Sequence, residues 1–329
     1  MLRVGIAGVG HLGAIHARLW KERADIELRG IFDTRSERSA AVASDLGIHA
    51  YESLEEMLEE VDALDIVTST SSHAAVAMAA FERGIHCFIE KPITPGYVEA
   101  MSLVRRADER GLVLQVGHVE RFNPAMIALE GREIAPMFIE SHRLAQFQPR
   151  SMDVAVVHDL MIHDIDLVLH LVASPVREIR ASGVAVISDM IDIANARLEF
   201  ENGCVANLTA SRISQKPMRK MRLFQQETYI SLDFAKREVE IFAISEGSGG
   251  EGAMKLGEIG EGDRRRSIYH ARPALAETNA IALELEEFVR AVRDGIPPSV
   301  DGRAGARAVE VAEAVIAAIE RTPAAAANP

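Results

Sequence analysis

Short apolar runs alternate with amphipathic helical patterns along the first third of the chain. Apolar runs typical of strands occupy residues 2–7, 26–32, 63–69, 86–90 and 113–116. Apolar stripes with helical spacing predict helices over residues 12–20, 36–46, 53–59, 74–83 and 97–110. Continuously apolar strands, as at Cys87-Phe88-Ile89, are typical of parallel sheets covered on both faces. The alternation therefore predicts an α/β domain with a doubly wound parallel sheet.

The pattern changes after about residue 120. A strand over residues 137–142 and a long helix over residues 158–172 precede a stretch rich in strands. Apolar and polar residues alternate from Ala194 to Phe200, which is the period of a half-buried strand, and Asn202-Gly203 predicts a tight hairpin turn. Further strands are predicted over residues 204–211, 218–226, 228–234 and 238–244. We expect an α+β domain with a large open, mostly antiparallel sheet that has one covered face.

The last part of the chain returns to helices. Residues 247–262 are rich in Gly and Glu and are expected to form a loop. Helices are predicted over residues 278–293 and 303–321, each with an apolar stripe for packing against a domain. We therefore expect an N-terminal domain over residues 1–120, a second domain over residues 121–270, and C-terminal helices over residues 271–329 that pack back on the core.

Composition narrows the classes of protein that fit. The 329-residue chain has a formal net charge of −13, which argues against a general nucleic-acid or membrane-surface binder. No apolar run approaches the ~20 residues that span a bilayer, and the N-terminus is typical of a strand rather than a signal peptide. Cys87 and Cys204 have neither a disulfide nor a metal-ligand spacing. We therefore expect a cytoplasmic protein without nucleic-acid or membrane partners.

A glycine pattern lies between the first strand and the first helix. Gly8, Gly10 and Gly13 enclose His11 and Leu12 in the order Gly-x-Gly-x-x-Gly. The glycines allow a tight turn, close approach of the backbone to a pyrophosphate, and close packing of the helix on the strand. Free N–H groups at the helix start favour phosphate. In this context the pattern predicts a Rossmann dinucleotide-binding domain, and a glycine-rich turn of another α/β protein is the alternative.

The end of the second predicted strand bears on the choice of cofactor. Asp33 follows Gly13 by about 20 residues, where a carboxylate binds the ribose hydroxyls and repels the 2′-phosphate of NADP. Arg35 and Arg38 follow closely and would instead be able to hold that phosphate. NAD is the expected cofactor and NADP the alternative, with Thr34 and Arg35 counted among the cofactor-binding residues.

Glu90-Lys91-Pro92 follows the fourth predicted strand, at the carboxyl edge where open α/β sheets bind ligands. Pro92 fixes its own φ and restricts the backbone of Lys91, so that this lysine is aimed rather than freely mobile. From the residues alone, a lysine in an ordinary surface turn is an equally good interpretation.

The predicted helix over residues 158–172 carries a polar stripe in an otherwise apolar sequence. The stripe consists of Asp159, His163, Asp166 and His170. Asp159 lies one turn before His163, so its carboxylate can orient the imidazole and stabilise the imidazolium. Such a pair suits the proton exchange of alcohol oxidation, and a buried His–Asp pair in the core is the alternative. No metal is expected, because His163 and His170 are seven residues apart rather than four.

These motifs resemble the glucose–fructose oxidoreductase / inositol dehydrogenase / MocA (Gfo/Idh/MocA) family along essentially the whole chain. The resemblance also rests on residues 68–73, 116–124 and 284–288. It implies an NAD(P)-dependent oxidoreductase whose second-domain sheet makes a homodimer or homotetramer. It also implies that Lys91, Asp159 and His163 form the catalytic set, with His163 as the acid/base. The other residues then expected beside the cofactor are Thr68, Ser69, Thr70, His73 and Glu90, together with Lys91.

Within that family, residues 117–124 and 159–166 look most like nucleotide-sugar dehydrogenases. The implied reaction moves a hydride between NAD and a secondary hydroxyl of a sugar or nucleotide sugar, in particular the 3-hydroxyl of UDP-N-acetylglucosamine. The residues expected to contact the substrate are Lys91, His118, Arg121, Asn123, Arg143, His163 and Arg212. A basic cluster consists of Arg212, Lys216, Arg219, Lys220 and Arg222. This cluster would be able to hold a diphosphate, although a solvated sheet face or a subunit contact explains it equally well.

Three other functions fit part of the pattern. A dehydrogenase or reductase of a free polyol or sugar would use the same residues. A nicotinamide-binding sensor without turnover would have no need for the set of Lys91, Asp159 and His163. NAD-dependent glycoside cleavage would oxidise its substrate only transiently and would form no net NADH.

Overall fold

The structure, a computed structural model, describes residues 1–147, 154–246, 252–262 and 265–321. The strands are β1 (Leu2–Ala7), β2 (Ile26–Phe32), β3 (Ala63–Ile66), β4 (His86–Glu90), β5 (Leu114–Gly117), β6 (Phe138–Leu144), β7 (Val176–Val184), β8 (Ile193–Phe200), β9 (Val205–Ser211), β10 (Met218–Gln225), β11 (Thr228–Asp233), β12 (Glu238–Ser245), β13 (Met254–Ile259) and β14 (Arg266–Ala271). The α-helices are α1 (His11–Glu22), α2 (Ser36–Leu46), α3 (Leu54–Leu58), α4 (Thr70–Glu82), α5 (Tyr97–Arg110), α6 (Pro124–Ile127), α7 (Ile162–Val172), α8 (Ala280–Asp294) and α9 (Gly302–Arg321). A 3₁₀ turn covers Val119–Phe122, and a π-helical segment covers Val157–Met161 directly before α7.

These elements divide between two compact units. The first unit contains Met1–Val119 and Asn279–Glu310, and the second contains Glu120–Thr278 and the described part of Val311–Pro329. Within the ranges that the structure describes, none of the helices combines the length and the apolar character needed to cross a membrane.

The first unit is built on a five-stranded parallel sheet in the order β2-β1-β3-β4-β5. Trp20 of α1, Phe88 of β4 and Phe288 of α8 are fully buried in its core. The prediction of an α/β fold with a parallel sheet is therefore confirmed. β1 lies inside the sheet, with β2 on one side of it and β3 on the other, so the strand order changes direction at β1. The carboxyl ends of strands at such a switch point form a ligand crevice.

The second unit is built on a nine-stranded sheet in the order β13-β14-β12-β11-β10-β6-β9-β8-β7. Its neighbouring strands are antiparallel, apart from β6 and β9, which are parallel. Along β6, Ile139, Ser141 and Arg143 face the covered side, on which α7 packs, and the alternate residues face the open side. The prediction of a large, mostly antiparallel sheet with one covered face is confirmed.

Two local predictions need correction. The expected loop over residues 247–262 is wrong for its described part, because β13 lies within it and pairs with β14 at the sheet edge. Nearly every residue of β13 is exposed, and a strand that buries neither face has no alternation of apolar and polar residues. Residues 247–251 lie outside the described residues. β3 ends at Ile66, earlier than predicted, so residues 67–69 form the loop before α4.

Candidate functional site

The loop between β1 and α1 contains two glycines with no room for a side chain. Gly8 has a φ of +90°, and a Cβ there would lie 2.7 Å from the carbonyl oxygen of Val67 and 2.8 Å from backbone atoms of Thr68. A Cβ on Gly13 would lie 2.0 Å from the carbonyl oxygen of Gly8. The loops after β1 and β3 are therefore in direct backbone contact at the carboxyl edge of the sheet.

Gly10 differs from these two glycines because it faces open space. Among the described residues, a Cβ there would meet only Arg38 Nη1, at 3.7 Å. α1 begins at His11, and no described side chain caps its first turn, so the N–H groups of that turn are available to an anion. The positive end of the helix dipole also favours negative charge at this point. The open backbone at Gly10 and the start of α1 at His11 and Leu12 thus fit the pyrophosphate of a dinucleotide.

The carboxylate of Asp33 holds the end of β2 against the glycine loop. Its Oδ2 accepts hydrogen bonds from Val9 N at 2.9 Å and from Arg38 Nη1 at 3.3 Å. Its Oδ1 accepts a hydrogen bond from Arg35 N at 2.9 Å. Asp33 is buried, whereas Thr34 and Arg35 are exposed. A carboxylate at this place disfavours a 2′-phosphate, and the guanidinium of Arg38 partly offsets its charge.

His73 joins the loop after β3 to the loop after β4. Its Nδ1 lies 3.0 Å from the carbonyl oxygen of Pro92, and its Nε2 lies 3.2 Å from that of Thr68. The ring is buried, and burial lowers the pKa of His73 below 6.5 although both carbonyl groups oppose the shift. His73 therefore supports the two loops from within. Ser69, which is exposed, and Thr70, which is half-buried, begin α4 directly after Thr68.

Glu90, Lys91 and Pro92 form the turn at the end of β4, in which the Lys91–Pro92 peptide bond is cis. Glu90 Oε2 accepts a hydrogen bond from Lys91 N at 3.0 Å. Glu90 is buried, and a Cβ on Gly117 would lie 2.8 Å from Glu90 Oε1, so the glycine of β5 leaves room for this carboxylate. Lys91 is half-buried. The turn thus presents Lys91 at the carboxyl edge of the sheet.

A buried polar cluster that sequence reasoning missed lies behind this turn. His16 Nδ1 lies 2.9 Å from Asp65 Oδ2, which also accepts a hydrogen bond from Trp20 Nε1 at 2.7 Å. His16 Nε2 lies 3.4 Å from Glu90 Oε1. Glu284 of α8 is buried beside them. One ring nitrogen of His16 and one carboxylate oxygen each of Glu90 and Glu284 all lie within 4.8 Å of one another. The aspartate inside the apolar run of β3 is the sequence signal that points to this cluster.

The predicted helix over residues 158–172 is present, but its first part, Val157–Met161, is π-helical. Asp159 and His163 are half-buried, Asp166 is buried and His170 is exposed. A π turn holds an extra residue, so α-helical spacing does not apply across it. The four residues therefore do not share one environment, and Asp159 and His163 have the partial exposure that suits an acid/base pair.

Two arginines expected to contact the substrate are bound to buried carboxylates of the second unit. Arg121 donates two hydrogen bonds to Asp166, at 2.8 and 2.6 Å. Arg143 donates two to Asp164, at 2.9 and 3.1 Å, and one to Glu120, at 2.9 Å. Burial alone would raise the pKa of Glu120, but Arg143 outweighs it and holds that pKa below 4.5. Both guanidinium groups thus anchor α7 from within, and their expected contact with the substrate stays a prediction.

Asn123 and His118 are likewise buried. Asn123 caps α6 through Oδ1, which accepts a hydrogen bond from Ala125 N at 3.1 Å, and its Nδ2 donates to Glu120 Oε2 at 3.1 Å. Both side-chain ends of Asn123 therefore have partners inside the second unit. His118 belongs to the first unit and is 1% exposed. Neither side chain offers much surface to a substrate.

Arg212 is buried and bound to groups of the second unit. Its Nε lies 3.3 Å from Asp192 Oδ1, and its Nη2 donates to the carbonyl oxygens of Val154 and, at 2.9 Å, Ile191. Since Arg212 is 3% exposed, it ties the end of β9 to these neighbours rather than presenting a guanidinium to a diphosphate.

The other basic residues do not form one patch, because successive residues of a strand point to opposite faces. Arg219 of β10 pairs with Glu120 at 3.2 Å on the covered side of the sheet. Lys220 and Arg222 point to the open side, where Arg222 pairs with Glu140 at 3.3 Å. Arg219 therefore lies on the opposite face from Lys220 and Arg222, and a diphosphate site formed by the cluster stays a prediction.

Two family models match the chain. The model described as "Oxidoreductase family, NAD-binding Rossmann fold" matches residues 2–118, and the model described as "GFO/IDH/MocA C-terminal domain" matches residues 138–231. A UDP-N-acetylglucosamine 3-dehydrogenase from Acidithiobacillus ferrooxidans is 42% identical over 320 residues, which cover 97% of each chain. The chain belongs to the Gfo/Idh/MocA oxidoreductase family. The predictions of a dehydrogenase and of NAD as its cofactor are thereby confirmed.

Other relatives and solved structures are similar to the chain along most of its length. A myo-inositol 2-dehydrogenase from Thermotoga maritima is 23% identical over 94% of this chain and 93% of its own. The structure of the UDP-N-acetylglucosamine 3-dehydrogenase from Acidithiobacillus ferrooxidans matches with a TM-score of 0.87 and 41% identity, over 97% of this chain and 98% of that one. An NAD-binding oxidoreductase from Klebsiella pneumoniae shares the fold, with a TM-score of 0.82 at 17% identity over 97% of both chains.

Proposed function

We propose that this Gfo/Idh/MocA dehydrogenase oxidises the 3-hydroxyl of UDP-N-acetylglucosamine with NAD. The observation that carries the proposal is the 42% identity, over 97% of both chains, to a relative named for that reaction. Relatives named for inositol are 23% and 24% identical over similar coverage. A free polyol is therefore the second candidate substrate.

The cofactor site is assigned to the carboxyl edge of the parallel sheet. The open backbone at Gly10 and the start of α1 would hold the pyrophosphate. The carboxylate of Asp33 would accept hydrogen bonds from the ribose hydroxyls. When bound, NAD supplies the acceptor for the hydride that leaves the substrate carbon. Thr68 touches the glycine loop, and His73 links Thr68 to the turn of Lys91. These contacts support a cofactor-side role for both loops.

Proton transfer is assigned to His163. Its imidazole would accept the proton of the reacting hydroxyl while the carbon–oxygen bond becomes a carbonyl. Asp159, four residues earlier, would orient the ring and stabilise its charged form. Lys91 would donate a hydrogen bond to the same hydroxyl oxygen and so favour loss of its proton. The partial exposure of all three residues supports this assignment, since a substrate can reach them.

The direct test is NADH formation with UDP-N-acetylglucosamine, compared with N-acetylglucosamine and myo-inositol at equal concentration. UDP-N-acetylglucosamine that carries deuterium at C3 should transfer the label to NADH, and the same sugar labelled at C4 should not. Turnover of myo-inositol alone would favour the free polyol. Cofactor binding without turnover would indicate a sensor, and release of UDP without net NADH would indicate glycoside cleavage.

We also propose that the open face of the nine-stranded sheet joins copies of the chain into a homodimer or homotetramer. A row of rings crosses this face, with neighbouring centroids 4.5 to 6.0 Å apart, formed by Phe138, Phe224, Tyr229, Phe242 and His270. Phe224 is 37% exposed, and an aromatic row of this kind is typical of protein interfaces. Phe224→Glu should lower the mass measured by light scattering. An unchanged mass would contradict this interface.

We infer a cytoplasmic location from the cysteines. Cys87 and Cys204 are both free and buried. Burial raises the pKa of each thiol, to about 11 for Cys204. Unpaired thiols of this kind pack as small apolar groups and are typical of reducing compartments. Cell fractionation should recover the protein with the cytosol, and recovery with the cell envelope would contradict this location.

A further inference from the structure

Four ionisable side chains, His16, Asp65, Glu90 and Glu284, share the interior of the first unit. They come from α1, β3, the end of β4 and α8. All four are buried, and Glu90 is the most exposed of them at 7%. Three adjacent buried carboxyl groups cannot all be charged without a large desolvation cost. Protons bound to His16 and to the carboxyl groups therefore decide which of these side chains can donate hydrogen bonds to the others.

The geometry assigns two ring protons to His16. Its Nδ1 faces Asp65 Oδ2 at 2.9 Å, and its Nε2 faces Glu90 Oε1 at 3.4 Å. A neutral imidazole has one N–H and would turn a lone pair towards one of these carboxylates. An imidazolium has an N–H for each of them, so it hydrogen-bonds Asp65 through Nδ1 and forms an ion pair with Glu90 through Nε2. Burial alone would lower the pKa of His16, but Asp65 and Glu90 outweigh it and hold that pKa well above 6.5.

The surroundings of Glu284 favour the neutral form of its carboxyl group. Among the described residues, neither of its oxygens has a hydrogen-bond donor. The ionisable groups that face it are Glu90, His16, Asp65 and, on α8 itself, Glu287. Burial raises the pKa of Glu284 well above 4.5, and the charge of Glu90 raises it further. A proton on Glu284 would let its carboxyl group donate towards Glu90, because a carboxylate oxygen of each lies within 4.8 Å of the other.

We propose that His16 and Glu284 are positioning residues of this dehydrogenase, which together hold the Glu90 carboxylate and, through it, the backbone of Lys91. Glu90 Oε2 accepts the hydrogen bond of Lys91 N at 3.0 Å, and Gly117 bounds the space around Oε1. Without the two proton donors, the Glu90 carboxylate is free to turn and Lys91 loses its anchor. The inference rests on the role proposed above for Lys91.

Variants of Glu284 separate positioning from a merely structural role. Glu284→Gln keeps a neutral donor of the same length, whereas Glu284→Met keeps the volume without a donor. We expect Glu284→Gln to retain kcat and Glu284→Met to lower it by about ten- to hundred-fold, as small displacements of a reacting group do. The Kd of NADH should be unchanged. The Tm of Glu284→Met should not fall, since it removes a buried carboxyl group.

Glu286→Gln is the matched control, because it removes an exposed carboxylate from the same helix. It should behave as the wild type in kcat, Kd and Tm. His16→Gln, which donates to one carboxylate instead of two, should lower kcat in the same way as Glu284→Met. A Glu284→Met variant with wild-type kcat, or equal losses of kcat in Glu284→Gln and Glu284→Met, would overturn the proposal.

The proton arrangement can also be measured without turnover. Infrared spectra of the wild-type protein at neutral pH should contain the C=O stretch of a protonated carboxylic acid, and Glu284→Gln should lack it. Nitrogen-15 NMR should show both ring nitrogens of His16 protonated. Absence of the infrared band, or one equivalent of divalent metal whose chelation lowers the Tm, would overturn the inference. If the band is present but UDP-N-acetylglucosamine is not turned over, the proposed substrate fails and the proton arrangement stands.

Discussion

Gly13 packs so closely against Gly8 that a Cβ on Gly13 would lie 2.0 Å from the carbonyl oxygen of Gly8. A Cβ on Gly10, between them, would lie 3.7 Å from the Arg38 guanidinium and further from every other group of the described ranges. The fold of the loop therefore requires the two outer glycines. Gly10 is required only for another molecule to approach the backbone. Mutation can therefore separate the requirement of the fold from the requirement of cofactor binding.

Gly13→Ala should destabilise the protein by about 3 kcal/mol, because the new methyl group overlaps backbone that cannot move aside. Gly10→Ala should keep its Tm and weaken NADH binding by about ten-fold, which corresponds to ~1.4 kcal/mol. Thermal unfolding and fluorescence titration with NADH measure the two effects. A Gly10→Ala variant with lower Tm and unchanged affinity would show that this glycine serves the fold instead.

Asp33→Asn should narrow the preference for NADH over NADPH. The carboxylate repels a 2′-phosphate, whereas an amide does not, and the substitution also releases Arg38 from its ion pair. Arg38→Gln, which keeps the carboxylate and removes the guanidinium, should widen the preference. Titrations of each variant with both cofactors give the comparison. Tighter binding of NADPH than of NADH by the wild type would contradict the role assigned to Asp33.

His163→Ala should lower kcat for UDP-N-acetylglucosamine by about 10²–10⁴-fold, the usual contribution of a general acid–base group. The Kd of NADH should be unchanged, because His163 lies outside the glycine loop. His170→Ala is the matched control, since His170 is exposed on the same helix and should be dispensable. Near-normal kcat in His163→Ala would remove this residue from the mechanism.

Arg212→Met should lower the free energy of unfolding and should not change how the enzyme discriminates between substrates. The change removes the guanidinium beside the buried carboxylate of Asp192, and breaking a buried pair costs about 3–5 kcal/mol. Backbone N–H groups of residues 186–188 still donate to Asp192, so we expect the lower end of that range. Any loss of kcat/KM should be equal for UDP-N-acetylglucosamine and N-acetylglucosamine. A loss confined to the UDP-sugar would restore the diphosphate-binding role.

Stability should decrease as the pH falls below 6.5. Burial lowers the pKa of His73, His86 and His158 below that value in the folded protein. The unfolded chain therefore takes up protons first, so the stability is present above pH 6.5 and is lost as the pH falls through the folded-state values. His16 acts in the opposite sense, because its pKa is raised.

Urea unfolding at a series of pH values measures this dependence. His73→Gln should reduce the slope of the free energy of unfolding against pH. His11→Gln, at an exposed histidine, should leave the slope as it is in the wild type. An identical slope in wild type and His73→Gln would contradict the contribution of His73.

The parallel sheet and the cofactor loop could be predicted because their signals are local in the sequence. Strands buried on both faces are continuously apolar, and the glycines, the following helix and Asp33 occur within one β-α-β segment. The edge strand β13 could not be predicted, since it buries neither face. The sequence also contains the signal that Lys220 and Arg222 lie on a different face of β10 from Arg219. Met221 and Leu223 mark the covered face of β10, so Lys220 and Arg222 must lie on the other.

The interior contacts could not be predicted, because their partners are distant in the sequence. His16 and Glu284 lie near opposite ends of the chain and meet only in the folded first unit. An arginine such as Arg143 or Arg212 suits a substrate anion as well as it suits a buried carboxylate. Only the tertiary structure shows which of these partners lies beside it.

The π-helical segment Val157–Met161 makes the spacing of Asp159 and His163 sensitive to chain length. Such a turn holds one residue more than an α-helical turn, so deletion of Leu160 can be absorbed by a return to regular α-helix. Asp159 would then stand three residues before His163 instead of four, which is a rotation of about 300° along a regular α-helix. The loss of a single codon here would thus change the angle between the two side chains and leave α7 intact.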